Sequence, residues 1–310
     1  MKNNTMNNSE KIMRETAARL LAGKSVDCII GFENGSRPDS ARPCFVRSGK
    51  DAERLVWNQW CTANIATFLP RLFEKPQRQP ENYIAPRIGI IAKGCDGRSI
   101  AGLVKEKQVP RENITIIGMP CSGMNAAPKN GKNTAAGELA RACIECVSPA
   151  VPGADIAIEG RSRKPAKADY QEVKEFAGKS VAQRWQIFTE EISRCIRCNA
   201  CREACPNCYC KVCFADQRKP SWVSPAPQLS DTMVFHLGRM FHQAGRCVEC
   251  DACVNACPMG IDLRLFTQKL AFDAGELFGC VPGVTGEEAP PLNTFKQDDS
   301  ECFITDPEEK

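Results

Sequence analysis

The stretch Cys195-Ile-Arg-Cys198-Asn-Ala-Cys201-Arg-Glu-Ala-Cys205-Pro206 decides how this chain is read. It returns as Cys247-Val-Glu-Cys250-Asp-Ala-Cys253-Val-Asn-Ala-Cys257-Pro258. Both runs have the spacing Cys-x-x-Cys-x-x-Cys-x-x-x-Cys-Pro. Thiols at i, i+3 and i+6 let one loop fold around one face of a small, soft, metal-rich object, and the fourth thiol must reach it from elsewhere. Proline after the last cysteine turns the chain away, because it lacks the N–H needed to continue a helix.

This is the bacterial ferredoxin spacing for a 4Fe-4S cubane. Two runs imply two clusters, close enough to exchange electrons. In two-cluster ferredoxins the fourth cysteine of each run binds the other cluster. By that rule Cys195, Cys198, Cys201 and Cys257 form one set, and Cys205, Cys247, Cys250 and Cys253 form the second. The exchange ties the runs together, so metal binding doubles as folding energy. Zinc is the alternative, but structural zinc sites use paired Cys-x-x-Cys units with four ligands per ion and do not need this run. A disulfide framework fits a long chain without a secretory signal still less well.

The chain has 310 residues, 25% charged and 43% hydrophobic, enough for two modest domains. Its 20 cysteines are the anomaly, and without an export signal they argue for metal. The start, Met1-Lys-Asn-Asn-Thr-Met-Asn-Asn-Ser-Glu10, has no apolar core of a signal peptide. No apolar run approaches the length of a membrane span. The expectation is a cytoplasmic protein of an oxygen-poor cell or compartment. A net charge of +4, without interleaved basic and aromatic residues, gives no support for nucleic-acid binding.

Residues 1 to about 8 are polar and expected to be disordered. Apolar spacing predicts a helix over Glu10–Leu21 and strands over Val26–Gly31 and Arg42–Val46, separated by the Asn34-Gly35 turn. A long amphipathic helix is expected over Asp51–Leu69, stopped by Pro70, and then a loop over 74–86. Next comes a β-α-β pattern: strand Arg87–Ala92, turn Gly94–Gly97, helix Arg98–Lys107 and strand Asn113–Gly118. Strands alternating with helices predict a parallel α/β layer, with sites at the carboxyl ends of its strands. Residues 124–137 read as a loop, and the basic stretch Arg161–Lys167 as a domain boundary. A helix over Gln171–Ser193 leads into the first run. Helices over Asp231–Gln243 and Asp262–Asp273 then favour an all-helical two-cluster domain. The expected division is an α/β domain over 1–165, a helical dicluster ferredoxin domain over 166–280, and an acidic flexible tail over 281–310.

Cys95 and Cys121 each fall just past a strand end, and Cys143 and Cys146 form a Cys-x-x-Cys pair. Together they are a candidate third set, with four buried free thiols as the alternative. Cys208, Cys210 and Cys213 follow Pro206 directly. They could ligate a further metal if Cys28, Cys44, Cys61, Cys280 or Cys302 supplied a fourth thiol, or they could simply line a helix. Cys61 reads as core. His236 and His242, the only histidines, read as surface or core residues. Asp96 and Arg98 read as a loop-packing salt bridge, or as groups orienting a cofactor or partner. Glycine-rich nucleotide loops, the P-loop and Gly-x-Ser-x-Gly are absent.

Two resemblances follow. Lys93-Gly-Cys-Asp-Gly-Arg98, Ile117-Gly-Met-Pro-Cys-Ser122 and Cys143-Ile-Glu-Cys-Val-Ser-Pro149, with Asp155 beyond, resemble the beta subunits of coenzyme F-420-reducing hydrogenases and formate dehydrogenases over residues 87–160. Those subunits carry a 4Fe-4S cluster and FAD. The resemblance therefore implies Cys95, Cys121, Cys143 and Cys146 as cluster ligands and FAD as a candidate cofactor, although the long flavin-bearing region of that family does not follow here. Residues 185–275 are similar to the helical two-cluster domain found in the iron–sulfur subunits of heterodisulfide reductases and of fumarate reductases. The combination implies an electron-transfer subunit of an anaerobic oxidoreductase complex, with catalytic and redox subunits as partners. A flavin-bearing subunit that itself acts on a deazaflavin is the alternative, and a structural zinc adaptor is a third.

Overall fold

The computed structural model describes residues 3–75, 83–126, 137–284 and 291. Helix α1 (Asn3–Ala22) precedes strands β1 (Cys28–Asn34) and β2 (Ala41–Val46), which pair antiparallel with Ile29 opposite Val46. After the short helix α2 (Leu69–Leu72) come β3 (Ile88–Ala92), α3 (Gly94–Lys105), β4 (Ile114–Gly118), the one-turn α4 (Arg141–Ile144) and β5 (Ile156–Ala157). The five strands form one sheet in the order β2-β1-β3-β4-β5. Strands β1, β3, β4 and β5 run parallel, and β2 adds an antiparallel edge to the expected parallel layer. Every residue of β3, Ile88-Gly-Ile-Ile-Ala92, is buried, as befits a parallel strand covered on both faces. The core of this half is built on Ile29, Ile30, Phe32, Ile90, Ile91 and Ile117.

Beyond β5 the described residues hold only helices: α5 (Gln171–Ala177), α6 (Val181–Ser193), α7 (Ala200–Glu203), α8 (Leu229–His242), α9 (Ala252–Asn255) and α10 (Arg264–Phe278), besides a short 3-10 turn at Phe214–Asp216. A second core collects Phe188, Ile192, Phe235, Met240, Ile261 and Phe266. The α/β class is therefore present, with the helical segment following it.

Several elements differ from the sequence expectation. Helix α1 starts at Asn3, inside the stretch expected to be disordered. The long helix expected over Asp51–Leu69 does not form. Its place is taken by 3-10 turns at Gly49–Arg54 and Ile65–Phe68, irregular chain between them, and α2. The side chains of Asn58 and Asn64 accept from the backbone N–H of Trp60 and Ala66, and such local bonds compete with helical ones. Helix α3 starts four residues earlier than expected, because the Asp96 carboxylate accepts from the Lys93 N–H at 3.0 Å and caps its first turn. The expected Gln171–Ser193 helix breaks at Gly178–Ser180, where Ser180 and Gln183 exchange capping bonds. Helix α10 begins at Arg264 and runs on to Phe278. The loop at 124–137 and the tail lie largely outside the described residues. Gly283, however, sits at φ 69° against Arg98, and a Cβ there would meet the Arg98 carbonyl at 2.3 Å, so this part of the expected flexible tail is packed.

The two halves are joined by buried and partly buried polar contacts. Arg98, expected to pair within its own loop, instead donates to the carbonyls of Pro282 at 2.8 Å and Val248 at 3.2 Å. Glu106 accepts from Arg246 at 2.5 Å and from the Tyr209 hydroxyl. Arg264 pairs with Glu145 of the N-terminal half and with Asp251 of its own.

Candidate metal centres

The two runs fold identically. Arg197 and Glu249 take φ 55° and 57°, and Asn199 and Asp251 take 61° and 55°. These left-handed residues turn each loop back on itself. The Arg197 and Glu249 N–H groups each donate to the first sulfur of their own run, Cys195 and Cys247, at 3.4 Å. Helices α7 and α9 then carry the third cysteines, Cys201 and Cys253, and pack against each other.

This packing brings the fourth cysteine of each run to the other run's loop. Cys195, Cys198, Cys201 and Cys257 line one cavity, beside Phe235, His236 and Ile261. Cys205, Cys247, Cys250 and Cys253 line another, beside Arg239, Gln243 and Asp251. Both groupings are the exchanged sets expected from the sequence. Burial pushes the thiols up, Cys201 and Cys250 to about 11 and Cys253 to about 12. Such thiols stay protonated unless a cation takes the proton's place, and metal ligation does that.

The N-terminal candidates also meet. Cys95 opens α3 just past β3, Cys121 follows β4, and Cys143 and Cys146 belong to α4 and the turn after it. All four line one cavity between the halves, together with Lys93 and with Cys250 of the second run. The Met124 N–H donates to the Cys143 sulfur at 3.2 Å. Gly94 permits the close approach of the two loops, since a Cβ there would lie 1.9 Å from the Ser148 carbonyl oxygen. Burial raises the Cys121 thiol to about 11 and raises Cys95 and Cys143 as well. Lys93 and Asp96 form a buried ion pair at 2.9 Å. Burial alone would lower the lysine, but Asp96 and Cys95 beside it hold it above its ordinary value.

Cys208, Cys210 and Cys213 share the lining of a larger cavity of about 450 Å³, and each has different surroundings. The Cys208 thiol bonds to Cys205, a contact that, with Arg239 nearby, holds it below its usual range. Cys213 bonds Arg202, and Cys210 is exposed. None of the described cysteines expected to supply a fourth ligand lines that cavity. Cys28 and Cys44 are buried in the β1–β2 pair, Cys61 is in the core though not in a helix, and Cys280 donates toward the Gly245 carbonyl. Cys302 lies outside the described residues. Among the described residues no three His, Cys, Asp or Glu side chains are set closely enough to hold a single ion.

Two side chains at the C-terminal sets carry more than the sequence suggested. His236 is 1% exposed, and its Nε2 lies 3.3 Å from the Cys195 sulfur. Burial, Arg239 and Arg197 push its ring down to about 3, so it is neutral. Arg239, buried on α8, donates to the Cys201 carbonyl at 3.0 Å, with its charge directed at Cys253, Cys208 and Cys205. His236 and Arg239 stand three apart on one helix face, a spacing readable in advance. What that face meets was not readable.

No family model matches the chain. It is similar to the F420-dependent formate dehydrogenase subunit beta of Methanocaldococcus jannaschii, 23% identical over an alignment of 363 residues that covers 88% of this chain and 92% of that protein. This distant likeness spans far more than residues 87–160. No helix among the described residues is long and apolar enough to cross a membrane.

Proposed function

We propose that this chain is an iron–sulfur electron-transfer subunit of an oxidoreductase complex of the formate dehydrogenase or hydrogenase kind. The observation that carries this reading is the series of three four-cysteine cavities, with Cys250 lining both the N-terminal one and its neighbour. Cys195, Cys198, Cys201 and Cys257 would hold one 4Fe-4S cluster, Cys205, Cys247, Cys250 and Cys253 a second, and Cys95, Cys121, Cys143 and Cys146 a third. Bound clusters supply reversible one-electron storage. The residues supply position: curled loops aim the thiols, backbone N–H groups bond to sulfur, and Lys93 and Arg239 set cations beside otherwise anionic sites. The helical segment over 166–280 acts as a dicluster ferredoxin domain docked on the α/β domain over 1–165, in a cytoplasmic, oxygen-poor setting. The relative's name points to a catalytic subunit as partner. The large cavity between the halves, with Lys75, Lys107 and Lys211 among its lining residues, favours a second reading in which an anionic redox coenzyme such as FAD also binds.

Iron and acid-labile sulfide per chain, measured after anaerobic purification, test this. About twelve of each, at four per cubane, is the expected result. About eight would remove the N-terminal cluster, and zinc without sulfide would overturn the reading. Flavin released on denaturation would establish the second reading.

A further inference from the structure

The two cysteine runs are copies in backbone and opposites in charge. Resting on the iron–sulfur reading above, we propose that the side chains around them split the C-terminal sets in reduction potential. The set Cys195, Cys198, Cys201 and Cys257 is the higher, and the set Cys205, Cys247, Cys250 and Cys253 the lower. The loops share φ values and the same N–H bond to the first sulfur of each run, so the contrast argued here is one of side chains.

An added electron makes a cluster more negative. Cations, hydrogen bonds to sulfur and water favour that state, and carboxylates disfavour it. The charges on the loops, the His236 contact and solvent exposure differ in one direction, while Arg239 and a side-chain hydrogen bond from Asn64 to Cys250 work against it. Where the first run has Arg197, the second has Glu249, and where the first has Asn199, the second has Asp251. The Arg197 guanidinium packs 4.6 Å from the centre of the Phe235 ring, and its buried Nε and Nη1 have no hydrogen-bond partner among the described residues. Among the described residues no carboxylate lines the first cavity, whereas Glu249 and Asp251, with Arg239 beside them, line the second. Arg264 pairs with Asp251 at 2.9 Å and offsets one of these charges. Glu249 accepts from the Tyr170 hydroxyl at 3.2 Å, with Arg264 and Arg98 also facing it.

The hydrogen bond from His236 exists only at the first set. A thiolate can only accept, so Nε2 carries the proton, and Nδ1, which has no partner among the described residues, keeps the lone pair. Solvent follows the same order: Ile196 is 53% exposed and its counterpart Val248 only 4%. Arg239 bonds to the Cys201 carbonyl, but it lines only the second cavity and its charge faces Cys253 and Cys205, so it offsets part of the split without cancelling the Arg197-to-Glu249 inversion, the His236 contact and the solvent difference. The lower set is the one that adjoins the N-terminal cavity through Cys250, and the higher set is the one open to solvent at Ile196 and Cys198. The gradient therefore falls outward, toward that surface.

The test uses the full chain, purified anaerobically and assayed first for iron and sulfide. Absence of iron defeats the iron–sulfur reading itself. With clusters present, a dithionite titration followed by electron paramagnetic resonance tests only the present inference. Signals are assigned by their loss in Cys198→Ala and Cys247→Ala. The expected result is that the first electron prefers the Cys198 set over the Cys247 set at least tenfold, which is 59 mV for one electron. Arg197→Gln lowers only the higher wave and Glu249→Gln raises only the lower one. His236→Leu lowers the higher wave, and His236→Gln, which keeps an N–H donor, restores most of it. If His236→Leu does not fold, the two charge variants decide. Equal potentials, the reverse order, or charge variants that leave both waves in place would overturn the inference.

Discussion

Replacing Asp96 by alanine tests the pair that anchors the turn bearing Cys95. Asp96 is wholly buried and accepts three hydrogen bonds: from the Ile65 N–H at 3.0 Å, the Lys93 N–H at 3.0 Å and the Lys93 ammonium at 2.9 Å. In Asp96→Ala the ammonium stays 2% exposed, held only by the Ala63 carbonyl and the Phe32 ring 4.9 Å away. Breaking one side of a buried pair costs about 3–5 kcal/mol. Two orphaned backbone N–H groups place the loss in the upper part of that range. For a unit of 150–250 residues, ~4.5 kcal/mol corresponds to a Tm lowered by roughly 9–18 °C. Asp96→Asn is little better, because its amide nitrogen would face an N–H donor at one of the two positions. The double variant Lys93→Met/Asp96→Leu removes both charges and recovers most of the loss, since burying neither charge is often neutral. The assay is urea unfolding followed by tryptophan fluorescence, with hydrogen exchange at the Ile65 amide as a local probe. A loss below about 1 kcal/mol in Asp96→Ala, or a double variant no better than the single, would refute the reasoning.

Exchange of the fourth ligands predicts that Cys257→Ala abolishes the same paramagnetic signal as Cys198→Ala, and Cys205→Ala the same as Cys247→Ala; the opposite pairing would place each run on its own cluster. Gly94→Ala forces the Ser148 carbonyl away from α3. It is expected to cost about 1–3 kcal/mol or more in urea unfolding, with loss of about four iron atoms per chain if the Cys95 cavity holds a cubane. On the acid side, hydrogen bonds from Arg87 hold the Asp27 carboxyl below its usual value. A lowered folded-state value contributes stability above the ordinary aspartate range that is lost as pH falls through the folded value. Asp27→Asn should therefore flatten the stability profile between about pH 5 and 3. The pair is exposed, so the change stays within about 1 kcal/mol, and an unchanged slope would show that the pair contributes nothing. Glu106→Gln removes the charge that joins Arg246 and Tyr209 across the halves. It should raise protease susceptibility in the basic stretch 161–167 while leaving the Ile90 core amide protected from exchange.

Some elements were legible because their signals are local. The strands over β1, β2, β3 and β4 carry short apolar runs bounded by turns, and the cysteine runs carry their own register. The apolar spacing over Asp51–Leu69 misled, because periodicity records which residues are buried and not how the backbone is satisfied. Asn58 and Asn64 bond to neighbouring N–H groups and leave buried chain that is not helix. The Cys208, Cys210 and Cys213 group shows what spacing alone leaves open. Its spacing resembles a ligand set, but its thiols turn toward Cys205, Arg202 and solvent.

By itself the sequence determined which thiols can form sets, since ligand spacing within one loop is a property of chain length and turn geometry. It also contained the inversion of Arg197 to Glu249, visible once the runs are aligned. Tertiary structure alone decided what surrounds each set. His236 reaches Cys195 across 41 positions, Arg239 reaches Cys201 across 38, and Arg98 reaches Val248 across 150. Such contacts depend on how α8 and α3 dock. Docking is set by apolar burial, which does not depend on direction, so the polar groups it brings together leave no local trace in the order of residues.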